Sequence, residues 1–158
     1  MPEVVVRVRS GQPADVAYER IADFASYPKL TEAVVSVDLA PTEADGAVVS
    51  AWTVRFRNGL LRWTERDVLD PVGRTIEFVQ LTGDFVTFTG NWRVVQLGGG
   101  SSITFRAEFD LGIPSLASII DPVAQSTLRS NILRILTGLL GEVTEETGEL
   151  EPVVASDA

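Results

Sequence analysis

SAWTVRFRNGLLRWTERD, residues 50–67, is the stretch that decides the fold of this chain. It places Asn58-Gly59 between two runs of alternating apolar and polar residues, which is the strongest short-range signal of a β-hairpin. A two-residue loop at Asn58-Gly59 would fix the register of the two strands. Directly opposed residues would then point to the same face of the sheet.

This register assigns the hairpin an inner and an outer face. Trp52 is predicted to lie opposite Glu65, and Ser50 is predicted to lie opposite Asp67. The inner face is therefore apolar near the turn and becomes acidic further along. The outer face carries a solvated row of residues: Arg55, Arg57, Arg62, Thr64 and Arg66.

Alternation extends on both sides of the hairpin and predicts one antiparallel sheet with one polar face. Gly98-Gly99 indicates a second two-residue loop, which would pair Trp92 with Phe105. Including the central hairpin, strands are predicted at about residues 4–9, 33–39, 50–56, 61–67, 75–80, 87–94 and 104–110.

Helical periodicity appears in two places. Pro13 is predicted to open a helix that runs to about Phe24, and residues 25–30 are predicted to form a short helix or turn. From about Ile119 to Val143 a long helix is expected, and it must cover the apolar face of the sheet. Its apolar stripe consists of Val123, Leu128, Ile132, Ile135, Leu136, Leu139 and Leu140.

Composition narrows the classes of protein to consider. The chain has 158 residues, of which 45% are hydrophobic, and a net charge of −9. One domain with a real core is expected over residues 1–144, followed by a flexible acidic tail over residues 145–158. The negative charge argues against binding to nucleic acid or to an anionic membrane surface.

The residue types that are missing from the sequence exclude several chemistries. The chain contains no cysteine and no histidine. Disulfides, thiolate nucleophiles and triads that contain histidine are therefore excluded, and we expect no metal and no cofactor. We see neither a signal peptide nor an apolar run of membrane-spanning length, so a cytoplasmic location without membrane insertion is predicted.

The order of strand, helix pair, meander and long helix resembles the START-like helix-grip superfamily, also called SRPBCC. Residues 63–71 and 74–81 resemble the central strands of bacterial polyketide cyclases and aromatases, and residues 90–93 resemble their glycine-x-tryptophan strand. Residues 127–131 resemble the cavity-facing part of the family's long helix, and residues 14–28 also fit. Coenzyme Q-binding proteins share most of these features, so the resemblance indicates the fold better than the substrate.

The resemblance implies an α+β helix-grip fold. A curved antiparallel sheet of about seven strands would wrap around the long C-terminal helix, with two short helices after the first strand. An internal apolar pocket would hold the ligand.

One position departs from the family pattern. The aromatases usually place an arginine, pointing into the cavity, four residues after the tryptophan of this strand; counted from Trp63, this chain has Asp67 there. Arg66 comes one residue earlier, and the register puts it on the outer face. A bulge near Val68 would turn Arg66 inward, because bulges re-aim side chains. Arg66 therefore stays a candidate catalytic residue, and arginine-assisted aromatisation is left open.

Glu65 and Asp67 are the other catalytic candidates. Burial disfavours their charged forms, so at least one of the two pKa values should rise. Such carboxyls can remove a proton next to a carbonyl or protonate a leaving hydroxyl, as cyclisation and dehydration of a poly-β-keto chain require. Two alternatives are ordinary solvated acids and structural ion pairs with Arg129 or Arg134.

Aromatic and amide side chains supply the candidate binding residues. Three tryptophans on one concave face, with Gly90 leaving room beside them, suit a flat or chain-like apolar ligand. Tyr27 would close the entrance or pack on the surface. The amides would bind the ligand or tie elements together. The predicted binding residues are Trp52, Trp63, Gln80, Phe88, Trp92, Asn131 and Tyr27.

The functional hypothesis is a polyketide cyclase, aromatase or dehydratase that works without a cofactor. The alternative is a non-catalytic carrier of a quinone, lipid or pigment. The expected partner is a hydrophobic small molecule, in particular a polyketide, and an acyl carrier protein is a further candidate. Monomer and homodimer are both open.

Overall fold

The computed structural model describes residues 2–57, 59–111 and 117–146. Within these ranges the chain forms an eight-stranded antiparallel sheet and one long helix. The elements are β1 (Glu3–Ser10), α1 (Ala14–Ala22), a 3₁₀ turn (Phe24–Ser26), α2 (Tyr27–Leu30), β2 (Val34–Leu39), β3 (Val48–Phe56), β4 (Gly59–Asp70), β5 (Thr75–Gly83), β6 (Thr87–Leu97), β7 (Gly100–Asp110), α3 (Ala117–Leu140) and β8 (Val143–Glu145).

The sheet has the order β2-β3-β4-β5-β6-β7-β1-β8, and it curves around α3. The predicted α+β helix-grip fold is confirmed, and the short β8 accounts for the difference from about seven strands. Leu128, Ile135, Leu136 and Leu139 of α3 are buried as predicted. Val123 was predicted on the same stripe, but it is 41% exposed, because it lies on the solvent side of the helix.

The register of the β3–β4 hairpin differs from the prediction by two residues. Phe56 pairs with Gly59, and Trp52 pairs with Trp63 instead of Glu65. The loop therefore begins at Arg57, whose φ is 56°, and the predicted loop residue Asn58 lies outside the described residues. A shift of two residues leaves every side chain on its face of the sheet.

The observed register has a physical reason. It brings Trp52 and Trp63 face to face, with ring centroids 6.1 Å apart and planes 6° from parallel. Such aromatic pairs contribute about 0.5–1.5 kcal/mol beyond the area they bury. This gain offsets much of the cost of about 1–2 kcal/mol for a left-handed, non-glycine residue at Arg57.

The β6–β7 hairpin has the predicted register, with Trp92 opposite Phe105. Gly90 does not leave room for a ligand, however, because the ring of Phe78 on β5 occupies that space. A Cβ atom at Gly90 would lie 2.9 Å from Cζ of Phe78 and 2.1 Å from the carbonyl oxygen of Arg106.

The C-terminal end of the described chain is part of the sheet. β8 pairs with β1, so the ordered chain continues past the domain boundary predicted at residue 144. Residues 147–158 of the predicted tail lie outside the described residues. Arg129 of α3 donates a hydrogen bond of 2.6 Å to the carbonyl oxygen of Val5 and forms an ion pair with Glu145, and both contacts fix α3 to this edge.

The other end of α3 packs closely against α2. A Cβ atom at Gly138 would lie only 2.2 Å from the carbonyl oxygen of Leu30. Glycine is thus the residue that permits this approach of the two backbones. No helix in the described part of the chain is long and apolar enough to cross a membrane.

Candidate functional site

A cavity of about 70 Å³ lies between the inner face of the sheet and α3. The space is small, with room for a few water molecules but not for a drug-sized ligand. Nearly all of the wall is aromatic or aliphatic. The lining residues are Val4, Phe24, Tyr27, Trp52, Val54, Trp63, Glu65, Phe78, Phe88, Trp92, Phe105, Ala107, Leu128, Asn131, Ile132 and Ile135.

The structure brings together the four aromatic residues predicted to face the pocket: Trp52, Trp63, Phe88 and Trp92. Their contacts form one continuous aromatic wall. Beyond the stacked tryptophans of the β3–β4 pair, the ring of Phe88 meets Trp63 edge-on at 5.3 Å. Further along the sheet, Trp92 meets Phe105 edge-on at 4.7 Å.

Glu65 and Asp67 occupy alternate positions of β4 and therefore share the inner face. Their exposed fractions are 5% and 0%. Glu65 also lines the cavity, whereas Asp67 lies behind it. The indole N–H of Trp63 donates to Oε1 of Glu65 at 2.7 Å.

A chain of hydrogen bonds reaches Asp67. The indole N–H of Trp52 donates to Oγ of Ser50 at 2.7 Å, and Ser50 in turn donates to Oδ2 of Asp67 at 2.6 Å. Because Ser50 accepts the indole hydrogen, its own hydrogen is directed to Asp67. This arrangement stabilises an ionised Asp67, since hydrogen bonds to the charged form favour that form.

The remaining oxygen of Asp67, Oδ1, is buried and has no hydrogen-bond donor when both acids are ionised. A proton shared with Glu65 would supply a donor to Asp67. Burial raises the pKa of Glu65 well above its ordinary value of 4.5, and hydrogen bonding to Asp67 and its charge raise it further. Burial also raises the pKa of Asp67, against the lowering effect of its hydrogen bonds with Glu65 and Ser50. The two carboxyls titrate as a coupled pair in which Glu65 holds a proton more strongly than Asp67 does.

No arginine or lysine in the described ranges forms an ion pair with either acid. The alternative of structural pairs with Arg129 or Arg134 therefore finds no support, and Arg129 instead binds Glu145. Within the same ranges, no group of three or more potential ligands could hold a metal ion.

Arg66 lies on the outer face of β4, away from the cavity. Its Nε atom is 3.2 Å from Oε1 of Glu43, and it also forms an ion pair with Asp45. The alternative of a bulge near Val68 finds no support, since the register shift between β4 and β5 occurs opposite Thr64 and Glu65. The extra residue is on β5, so Arg66 is not turned inward and keeps the outer-face position that the predicted register gives it.

The other predicted binding residues have different places. Tyr27 is buried in the cavity wall, and its hydroxyl donates to the carbonyl oxygen of Ile21 at 2.6 Å. Asn131 lines the cavity, and its Nδ2 ties α3 to the sheet through the carbonyl oxygen of Arg55 at 2.6 Å. Gln80 is not in the cavity wall, because its amide binds the backbone of Phe85 at 2.9 and 3.3 Å.

Two contributors to the site were missed in the sequence. Ser50 was assigned to the inner face, but its role as a donor to Asp67 depends on the diagonal neighbour across the hairpin. Phe85 lies in a stretch that reads as a turn, yet it is buried and stacks on Phe88 at 4.4 Å. A phenylalanine beside Gly83 and Asp84 was the available signal.

A curved antiparallel sheet that closes on a long C-terminal helix around an apolar cavity defines the START-like helix-grip class. The family model described as "Polyketide cyclase / dehydrase and lipid transport" matches residues 10–135. The chain belongs to this family, and its membership supports a role in binding a hydrophobic molecule.

Solved structures share the fold at low sequence identity. TTHA0849 from Thermus thermophilus is 22% identical with a TM-score of 0.80, covering 87% of this chain and 94% of its own. The Zhui aromatase/cyclase from Streptomyces sp. R1128 is 22% identical with a TM-score of 0.74, and the match covers 88% of this chain and 91% of the aromatase/cyclase chain. A START superfamily protein from Mycobacterium smegmatis is 17% identical with a TM-score of 0.77, covering 89% and 97%. Among curated proteins, none matches this sequence.

Proposed function

We propose that this protein binds a polyketide-type molecule in the cavity and promotes its cyclisation, dehydration or aromatisation without a cofactor. The observation that carries the proposal is the buried pair of Glu65 and Asp67, which opens onto an aromatic cavity through Glu65. Buried carboxyls with raised pKa values are the groups that exchange protons with a bound carbonyl compound at neutral pH.

The pair can carry out a dehydration with balanced protons. Glu65 passes its proton to the free Oδ1 of Asp67, and the resulting carboxylate removes the proton α to a ligand carbonyl. Glu65 then returns that proton to the β-hydroxyl; the C–O bond breaks, water leaves, and an enone remains. Confinement between α3 and the sheet adds to the rate by limiting the conformers of the ligand.

The size of the cavity sets a condition on this function. Ligand pockets commonly measure about 300–1,000 Å³, far more than the 70 Å³ of this cavity. A ligand must therefore displace part of the wall. Opening the roof formed by Leu128, Ile132 and Ile135 would break the bond of Asn131 to the carbonyl oxygen of Arg55, which costs about 1 kcal/mol. It would also expose apolar side chains of α3 that are now buried, so the ligand has to replace these apolar contacts.

The second candidate is a carrier that binds the molecule and performs no chemistry. It is favoured by the wall itself, on which Glu65 is the one carboxyl among the described lining residues. The family description also includes lipid transport.

The two candidates separate when binding and chemistry are measured on the same protein. Binding is followed by tryptophan fluorescence with anthraquinone. Chemistry is followed by ultraviolet absorbance as 4-hydroxy-4-(2-naphthyl)butan-2-one loses water to its enone. Glu65→Gln should reduce the catalysed rate about 100-fold with little change in anthraquinone affinity, because the lost interaction belongs to the transition state.

The matched control is Glu77→Gln, which makes the same change on the outer face of β5. It should behave as the wild type in both measurements. Anthraquinone binding without any rate acceleration by the wild type would establish the carrier, and an unaltered rate in Glu65→Gln would remove Glu65 from the mechanism.

A further inference from the structure

The polar groups of the cavity wall are unevenly available to a ligand. Three of its donor groups bind protein acceptors: the hydroxyl of Tyr27 binds Ile21, the indole N–H of Trp63 binds Glu65, and one of the two N–H bonds of Asn131 Nδ2 is directed to Arg55. The indole N–H of Trp52 is likewise engaged, with the hydroxyl of Ser50.

The charged and π-electron groups of the wall act mainly as hydrogen-bond acceptors. The Glu65 carboxyl faces the cavity, and aromatic faces, which carry partial negative charge, form most of the remaining surface. None of the described lining residues is an arginine or a lysine. An anionic ligand group would lie beside a buried acid pair, and no arginine or lysine of the described cavity wall would neutralise it.

We propose that the cavity selects its ligand by charge: it takes a neutral aromatic molecule whose hydroxyl contacts Glu65 and rejects molecules that bear a carboxylate. Glu65 is then the specificity-determining residue, since a carboxylate brought against it is buried beside the acid pair of Glu65 and Asp67 with no cation to compensate its charge. A hydroxyl suits Glu65 in either protonation state, because a hydroxyl both donates and accepts.

This inference rests on the proposed function in one respect, that the cavity opens to aromatic ligands. It is tested at pH 7 by calorimetric titration of the wild-type protein with four naphthalenes of similar size: 2-naphthol, 2-methoxynaphthalene, 2-naphthamide and 2-naphthoate. 2-Naphthol should bind about tenfold more tightly than 2-methoxynaphthalene, because a tenfold difference in affinity corresponds to about one hydrogen bond. The carboxylate should bind at least 100-fold more weakly than the amide, which has nearly the same shape.

Variants then assign the selectivity to one residue. Glu65→Gln should raise the affinity for 2-naphthoate about tenfold or more, because it replaces one of the two buried acids by an amide whose N–H can donate to a carboxylate. Glu77→Gln should leave all four affinities unchanged. The comparison of amide with carboxylate uses only wild-type protein, so it stands even if Glu65→Gln fails to fold.

Two results would overturn the inference, and only the second of them would also overturn the proposed function. If 2-naphthoate binds within about threefold of 2-naphthamide, charge selection is wrong while ligand binding is upheld. If none of the four compounds binds, the cavity does not open to aromatic ligands of this size, and the proposed function fails together with the inference.

Discussion

Replacing Glu65 by glutamine should change how the stability of the protein depends on pH. In the folded protein Glu65 is buried beside Asp67, Tyr27 and Trp63, and burial is the largest cause that raises the pKa of its carboxyl well above 4.5. In the unfolded chain the same carboxyl returns to its ordinary pKa. Between the ordinary pKa of 4.5 and the raised pKa, the folded state therefore keeps a proton on Glu65 that the unfolded chain has lost.

The direction and size of the effect follow from this difference of one proton. Because the folded state holds the additional proton, the free energy of unfolding falls as pH rises from the ordinary pKa toward the raised one. The contribution is complete below the unfolded pKa and is lost above the folded pKa. Within that interval the slope is about 1.4 kcal/mol per pH unit. Glutamine does not titrate, so Glu65→Gln removes this part of the slope.

The assay is urea denaturation at half-unit steps from pH 5 to pH 8, with the wild type, Glu65→Gln and Glu77→Gln. The difference between wild type and Glu65→Gln cancels the many surface acids that both proteins share, and it should move in favour of the variant as pH rises. Asp67→Asn should keep much of the slope, since desolvation of Glu65 persists without its partner. Parallel curves for wild type and Glu65→Gln would refute the assignment of the proton to Glu65.

Two further substitutions test the packing and the outer face. Gly138→Ala should lower the thermal midpoint, because overpacking against the backbone of Leu30 costs about 1–3 kcal/mol and the gain in helix propensity is at most about 1 kcal/mol; an unchanged or higher midpoint would show that α2 and α3 separate easily. Arg66→Ala should change stability by less than about 1 kcal/mol, because its ion pairs are on the surface, and should leave the dehydration rate unaltered; loss of catalysis would place Arg66 at the reacting ligand.

The inward position of the acids was predictable even though the hairpin register was not. A turn that starts at Arg57 rather than Asn58 changes every partner by two residues, and the period of a strand is also two. The side of the sheet on which Glu65 and Asp67 lie is therefore insensitive to this error. Their partners are sensitive to it, which is why the stacked tryptophans were not foreseen.

Other parts of the site depend on elements that are remote in sequence. The amide of Gln80 meets the backbone of Phe85 because the β5–β6 connection folds back over it. The guanidinium of Arg66 is held by acids of the β2–β3 loop, Glu43 and Asp45, 23 and 21 residues away. Alternation along one strand predicts on which face of the sheet a side chain lies. Which group that side chain binds is determined by tertiary packing. Phe78, which fills the space over Gly90, illustrates the same limit.

The energetic cost of the acid pair supports a role in function. Two carboxyls buried without a cation destabilise a fold, and apolar residues of similar volume at Glu65 and Asp67 would pack against the same tryptophans at lower cost. Local conflicts of this kind are expected at functional sites, where the rest of the structure compensates for them. Here the compensation is visible: Ser50, itself bound by Trp52, donates to one acid, and Trp63 donates to the other. Two indole donors thus support two carboxyls beside an apolar cavity, and this arrangement is the basis of the proposed proton transfer.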